Sequence, residues 1–249
     1  MRRILLRVAY DGTRYHGWQI QNNEVTIEGC LNQALTELLG ISVQVAGASR
    51  TDAGVHAYDN VAVFDTDSRI PAEKFALALN ARLPEDIVVQ ASREVAGDFH
   101  PRYAKSRKTY EYRILNRRCP LPGECRFAHF VYGTLDLDAM KQAAGYIVGE
   151  HDFACFMAAG SQVQTSVRTV YTLDVEKEGD MLYMRITGNG FLYNMVRIIA
   201  GTLLEVGMMR RSPESVKAAI ESKDRQMAGP TAPAKGLHLL QLEFADDIG

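Results

Sequence analysis

Apolar and polar positions alternate from Ile4 to Tyr10, the pattern of a half-buried strand. Behind it, Ile27, Cys30, Leu31, Ala34, Leu35 and Leu38 recur at helical spacing, with Thr26 placed to cap the helix and Gly40 to end it. Ile41 to Ala48, with Val43 and Val45 on one face, reads as a strand, and Asn60 to Asp65 as its neighbour. Pro71 opens a second helix running through Leu83, and Ile87 to Ala91 closes the unit. The order is β-α-β-β-α-β, the ferredoxin-like arrangement.

After a polar, basic link near Phe99 to Lys108, the order returns with longer insertions. Thr109 to Leu115 is a strand carrying Tyr110, Tyr112 and Ile114 on one face. Asp136 caps a helix that turns Leu137, Met140, Ala144, Ile147 and Val148 inward. Arg168 to Glu176 and Met181 to Thr187 form a hairpin around Glu178-Gly179-Asp180. Leu192 to Val206 reads as a long amphipathic helix, and Leu237 to Phe244 as the last strand. The expected fold is α+β: two ferredoxin-like halves forming one broad, mostly antiparallel sheet with helices on one face. Residues 1–105 make the N-terminal half and residues 106–249 the C-terminal half, which completes a cleft. Only the topology repeats; the residues do not.

A chain of 249 residues can bury a sizeable core. Its net charge of −2 does not announce a nucleic-acid binder, so such a role needs basic residues gathered on one face. Candidates are Arg102-Tyr103-Ala104-Lys105-Ser106-Arg107-Lys108, Arg117-Arg118, Arg210-Arg211, and Arg14 with Tyr15. Clusters of this kind suit a phosphate backbone, though a charge run is more often a solvated face. Cys30, Cys119, Cys125 and Cys155 lack metal-ligand spacing and suggest no disulfide framework; Cys30 reads as a small core residue. Arg7 ends the first apolar run too early for a signal peptide, and Ile198 to Met209, interrupted by Glu205, is too short to span a bilayer. The expectation is a soluble cytoplasmic protein without metal or membrane anchor.

The candidate chemistry centres on Ala48-Ser49-Arg50-Thr51-Asp52-Ala53-Gly54-Val55-His56-Ala57, a polar loop between two strands. An arbitrary loop Asp more often caps a turn. This whole string, however, resembles the catalytic loop of the TruA-type tRNA pseudouridine synthases, whose essential residue is the Asp. Four further stretches resemble the same family in the same order: Tyr10 to Gln21, Lys108 to Arg113, Gly190 to Arg197, and Thr231 to Leu237.

The resemblance implies isomerisation of uridine to pseudouridine in the anticodon stem-loop of tRNA, at positions 38, 39 and 40, by a homodimer without cofactor. It makes Asp52 the catalytic carboxylate, through attack at C1′, attack at C6 or a glycal route. That group must be charged yet shielded from water, and desolvation raises its pKa. Arg197, by helix geometry alone a solvated flank charge, becomes the cation that offsets this cost. Tyr110, otherwise ordinary core, stacks on the target uracil and assists removal of its C5 proton. Leu237, otherwise an ordinary strand core residue, closes the other side of the base, and Arg50, otherwise a phosphate-contacting or solvent-facing arginine, fills the space that the base vacates. Arg14, Lys105 and Arg107 are candidates for phosphate contact. His16, His56 and His100 read as loop hydrogen-bonders. Two other classes compete: an RNA-binding module of RRM-like fold, and a small-molecule hydrolase pairing Asp52 with a second acid such as Asp59.

Overall fold

The alternating start of the chain is strand β1 (Arg2–Tyr10), and the helical repeat after it is α1 (Ile27–Leu39). Thr26 caps α1 by accepting a hydrogen bond from the Gly29 amide, Gly40 ends it in the left-handed region, and Ile27, Leu31, Ala34 and Leu35 form its buried stripe. Thr26→Ala is expected to cost about 1 kcal/mol, read as a lower urea midpoint at unchanged slope. The computed structural model describes residues 1–160 and 163–245, which cluster into two units. One runs from Met1 to Ser106 and regains the chain from Leu239 onward; the other is Arg107–His238.

In the first unit β2 (Ala46–Gly47), β3 (His56–Thr66), α2 (Phe75–Asn80) and β4 (Ile87–Val95) complete the βαββαβ order. β1 lies between β4 and β3 and is antiparallel to both. Leu5, Ala48, Val61, Val63, Val95 and Leu242 make one core cluster, against which Phe99 and Phe244 meet edge to face at 5.1 Å. Two elements are shorter than the periodicity suggests. The segment from Ile41 to Ala48 contributes only the two residues of β2 to the sheet. Its Val43 and Val45 amides donate instead to Thr36 Oγ1 and Asn32 Oδ1 on α1, so they take no part in a ladder. The helix expected from Pro71 to Leu83 is a 3-10 turn followed by α2 alone. Asn80 binds both the amide and the carbonyl of Val89, at 2.8 and 2.9 Å, tying the helix end to β4.

The second unit contains β5 (Ser106–Asn116), β6 (His129–Val131), α3 (Leu137–Gly145), β7 (Gly149–Asp152), β8 (Val167–Glu178), β9 (Met181–Gly188), α4 (Met195–Gly207) and α5 (Glu214–Ser222). Its strands run in the order β5-β9-β8-β7, antiparallel, with β6 pairing in parallel along the end of β5. Asp136 caps α3 as expected, and Gly179 turns the β8–β9 hairpin at φ +59°. Val148 does not point inward; it is exposed, because α3 has already ended. Cys30 is only half-buried.

The long helix also departs from expectation. It starts at Met195, after Asn194 in the left-handed region, and is buried almost all round instead of amphipathic. The loop ahead of the last strand covers its second side: Thr202 Oγ1 accepts from the Gly229 amide and the Arg197 carbonyl from Ala232. β10 (Leu237–Phe244) follows, and its residues from Leu239 lie next to β3 in the first unit. The fold is α+β with mostly antiparallel strands.

Candidate active site

Asp52 sits on the loop between β2 and β3, and that loop is held along its backbone. The Trp18 amide donates to the Thr51 carbonyl at 3.0 Å, the Gly54 amide to Tyr15 at 3.3 Å, and the Val55 amide to the Asp52 carbonyl at 3.1 Å. Tyr10 Oη and Thr51 Oγ1 stand 2.7 Å apart. Asn60, fully buried at the start of the apolar run on β3, donates to Tyr10 Oη and the Ser49 carbonyl and accepts from the Ser49 amide. By sequence pattern Asn60 reads only as the start of a strand. The available signal was a polar residue heading the otherwise apolar run Val61-Ala62-Val63-Phe64.

The segment from Tyr10 to Gln21 forms the back wall of this loop. Gly17 has φ +86°, and a Cβ there would fall 2.6 Å from the Thr51 carbonyl oxygen. Only glycine allows that approach and that backbone together. Trp18, 1% exposed, lies on Gly47 and 6.0 Å from the Tyr10 ring. An aromatic side chain buries 150–250 Å², of order 4–6 kcal/mol at about 25 cal/mol per Å². His56 Nδ1 accepts from the Gly12 amide at 3.2 Å, with Asp11 Oδ1 3.1 Å away, which brings the two loops together. His16 pairs with Glu24, and His100 stacks on Tyr103 at 4.4 Å. Asp52 itself is half-buried, and Arg50 beside it is exposed. Asp59 binds Arg7 and accepts from the Leu242 amide, so its side chain is engaged in fastening strands.

The second unit gathers the other candidates around β5. Tyr110 is buried and meets Phe191 edge to face at 5.3 Å. Tyr112 Oη donates to the Pro233 carbonyl at 2.8 Å, and its ring lies so close to Gly236 that a Cβ there would be 2.7 Å away. Burial pushes the Tyr112 phenol well above its ordinary pKa, with the charge of Arg197 opposing the shift. Arg197 is not a solvated flank charge. It is half-buried, Nε donating to the Ala232 carbonyl and Nη1 to Asn194 Oδ1, both at 2.8 Å. Leu237 follows Gly236 and is 6% exposed. Tyr110, Arg197 and Leu237 thus share one scaffold, in which β5, the entry to α4 and the loop before β10 are tied together. Asp52 and Arg50, with Arg14 and Lys105, belong to the first unit.

The basic residues divide by their partners. Lys105, Arg102, Arg118 and Arg210 are exposed, and the Arg107 guanidinium lies 4.8 Å over the Tyr171 ring. Arg14 pairs with Asp86 at 2.6 Å, and Tyr15 Oη donates to the same carboxylate at 2.5 Å. Arg211 pairs with Glu205 and donates to the Met227 carbonyl, a fastening of the chain after α4. Burial pushes the Cys155 thiol up to about 12, which removes it as a nucleophile. Among the described residues no group of three or more His, Cys, Asp or Glu is placed to hold a metal ion. Nor is any described helix long and apolar enough to cross a membrane.

The loop holds the half-buried Asp52 on a backbone clamped from several sides, an arrangement suited to keeping a charged group fixed. The family described as tRNA pseudouridine synthase matches residues 7–104 and 143–245, which contain Asp52, Arg197 and Leu237. The chain is 47% identical over 244 residues to a tRNA pseudouridine synthase A of Thermoanaerobacter sp. (strain X514), covering 98% of this chain and 100% of that one. It is 49% identical over 246 residues to a tRNA pseudouridine synthase A of Ruminiclostridium cellulolyticum, with the same coverage. This chain belongs to the tRNA pseudouridine synthase family. Among solved structures, a Cbf5-Nop10-Gar1 complex aligns at a TM-score of 0.37 and 12% identity, over 96% of this chain and 59% of that one.

Proposed function

We propose that this protein isomerises uridine to pseudouridine in the anticodon stem-loop of tRNA, at positions 38, 39 and 40, as a cytoplasmic homodimer. The observation that carries the reading is the end-to-end similarity to proteins named tRNA pseudouridine synthase A. The reaction breaks N1–C1′, turns the uracil and joins C5 to C1′. The C5 proton leaves and N1 gains one, so the base and the sugar keep their composition. Asp52 supplies the charged carboxylate that engages the nucleoside, and its clamped loop holds that group without reorganisation when the substrate arrives. Arg197 supplies the compensating cation. Tyr110 stacks on the uracil, Leu237 closes the other side, and Arg50 occupies the space left in the stem. Arg14, Lys105 and Arg107 meet phosphates.

Tyr110→Phe separates two roles of that side chain. Its edge-to-face packing on Phe191 survives, while the hydroxyl is lost. If the hydroxyl assists C5 deprotonation, kcat falls by about 10²-fold or more at nearly constant KM; wild-type kcat leaves Tyr110 with stacking alone. The reading as a whole is tested by tritium release from tRNA transcripts labelled at uracil C5. Release establishes base isomerisation. No release from any tRNA by folded protein overturns it.

A further inference from the structure

Arg168, near the start of β8, is a charged side chain to which the function above gives no task. Its guanidinium is half-buried. Nη1 donates to the Thr165 carbonyl at 2.9 Å and to the Val167 carbonyl at 2.6 Å. No carboxylate pairs with it among the described residues, and its Nε and Nη2 have no partner there. The nearby acids are engaged otherwise: Asp152 binds Ser166 and, at 3.0 Å, Lys223, while Glu150 meets the Thr169 hydroxyl at 3.4 Å. Burial lowers the pKa of the guanidinium, as it must for a cation removed from water without a counter-charge. Carbonyl oxygens orient such a group but do not neutralise it.

Its position says what would. Thr169 and Asn189 exchange hydrogen bonds, the Thr169 amide to Asn189 Oδ1 and the Asn189 amide to the Thr169 carbonyl, both at 3.0 Å. This closes β8 onto the turn that follows β9. The Arg168 side chain runs over that turn: a Cβ on Gly190 would lie 3.8 Å from Arg168 Nε. Gly190 precedes Phe191, whose ring touches Tyr110. The same end of the strands carries Arg107 and Lys108, because Lys108 and Val170 both register with Gly188. The Arg107 guanidinium is held over Tyr171, one residue beyond Val170. An anion bound at Arg168 would lie against the Gly190 turn that leads to the Phe191–Tyr110 pair.

We infer that Arg168 binds a backbone phosphate of the RNA strand that carries the target uridine, and so sets that strand on Tyr110. The inference rests on the proposed function for the identity of the anion. Arginine suits the role, since the two donor positions left open can engage a phosphate bidentately.

The test is Arg168→Gln, with tRNA affinity measured over a range of salt and tritium release followed at saturating and limiting tRNA. Loss of one phosphate contact makes the slope of log K against log salt shallower by roughly 0.7–0.9. KM is expected to rise about tenfold with kcat nearly unchanged. A merely structural arginine would lower stability and leave the slope alone, so an unchanged slope in a folded variant overturns the inference. Should the variant not fold, wild-type protein is given stem-loops with single neutral methylphosphonate linkages flanking the target. At least one linkage is expected to weaken binding about tenfold, and no effect at any linkage overturns the inference. Wild-type tritium release on the same RNA is scored separately. Its absence overturns the proposed function, and the salt slopes still judge whether Arg168 touches a phosphate.

Discussion

Asp52→Asn is expected to abolish tritium release from C5-labelled tRNA, by at least about 10⁴-fold, the size of loss seen when a reacting group itself is removed. Binding of tRNA should stay within about threefold, because the loop's anchors are elsewhere: the Thr51, Asp52 and Tyr15 carbonyls, the Thr51 hydroxyl, and Asn60 on the backbone of Ser49. Asparagine keeps the shape of the side chain and removes only the charge. Single-turnover kinetics and a binding titration measure the two quantities on one preparation. Residual turnover within tenfold of wild type would take the chemistry away from Asp52. Asp59 is a poor substitute, since its carboxylate is committed to Arg7 and the Leu242 amide. That commitment also weakens the hydrolase alternative, which needed Asp59 as its second acid.

Gly17→Ala is expected to damage both stability and turnover, although Gly17 carries no chemistry. Its φ of +86° costs an L-residue about 1–2 kcal/mol. The new methyl would also fall 2.6 Å from the Thr51 oxygen and 3.0 Å from the Asp52 carbonyl carbon. Neither neighbour can rotate away, because both are backbone. Either the Tyr10 to Gln21 segment or the Asp52 loop must shift, at a further cost of about 1–3 kcal/mol. A displacement of about 1 Å at a reacting group costs about 10²-fold in rate, so kcat should fall by that order even where the variant is folded. Urea unfolding and tritium release measure the two effects. A destabilised variant with wild-type kcat would show that the loop tolerates movement, and the rigidity argued for Asp52 would fail.

Much of this is legible in the sequence alone. The caps at Thr26 and Asp136, the turn at Gly179 and the strand from Leu237 to Phe244 are local signals, and each stands where the pattern puts it. The misread elements share a cause. Val43 and Val45 alternate like strand residues, yet their amides are taken by side chains of α1. The helix after Pro71 is cut short by Asn80 reaching Val89 on another strand. The helix at Met195 is buried almost all round because a loop 27 residues beyond Thr202 covers its outer side. In each case the deciding partner is distant in sequence, where periodicity carries no information.

The candidate residues divide along the same line. The resemblance of the ordered motifs to the tRNA pseudouridine synthases singles out Asp52, Tyr110, Arg197 and Leu237 as candidates; residue type alone reads Tyr110 and Leu237 as core and Arg197 as a surface charge. What holds them was decided only by tertiary structure. Arg197 reads as a solvated flank until its guanidinium is seen between Ala232 and Asn194. Asn60 reads as the start of a strand until it is seen holding Ser49 and Tyr10. Arg168 reads as one more basic residue until folding half-buries it with no carboxylate paired to it among the described residues. Residue type and spacing determine which chemistry the chain has available. Burial and hydrogen-bond partners, set by contacts between distant segments, decide which of those groups are held still, which are neutralised, and which are left facing a ligand.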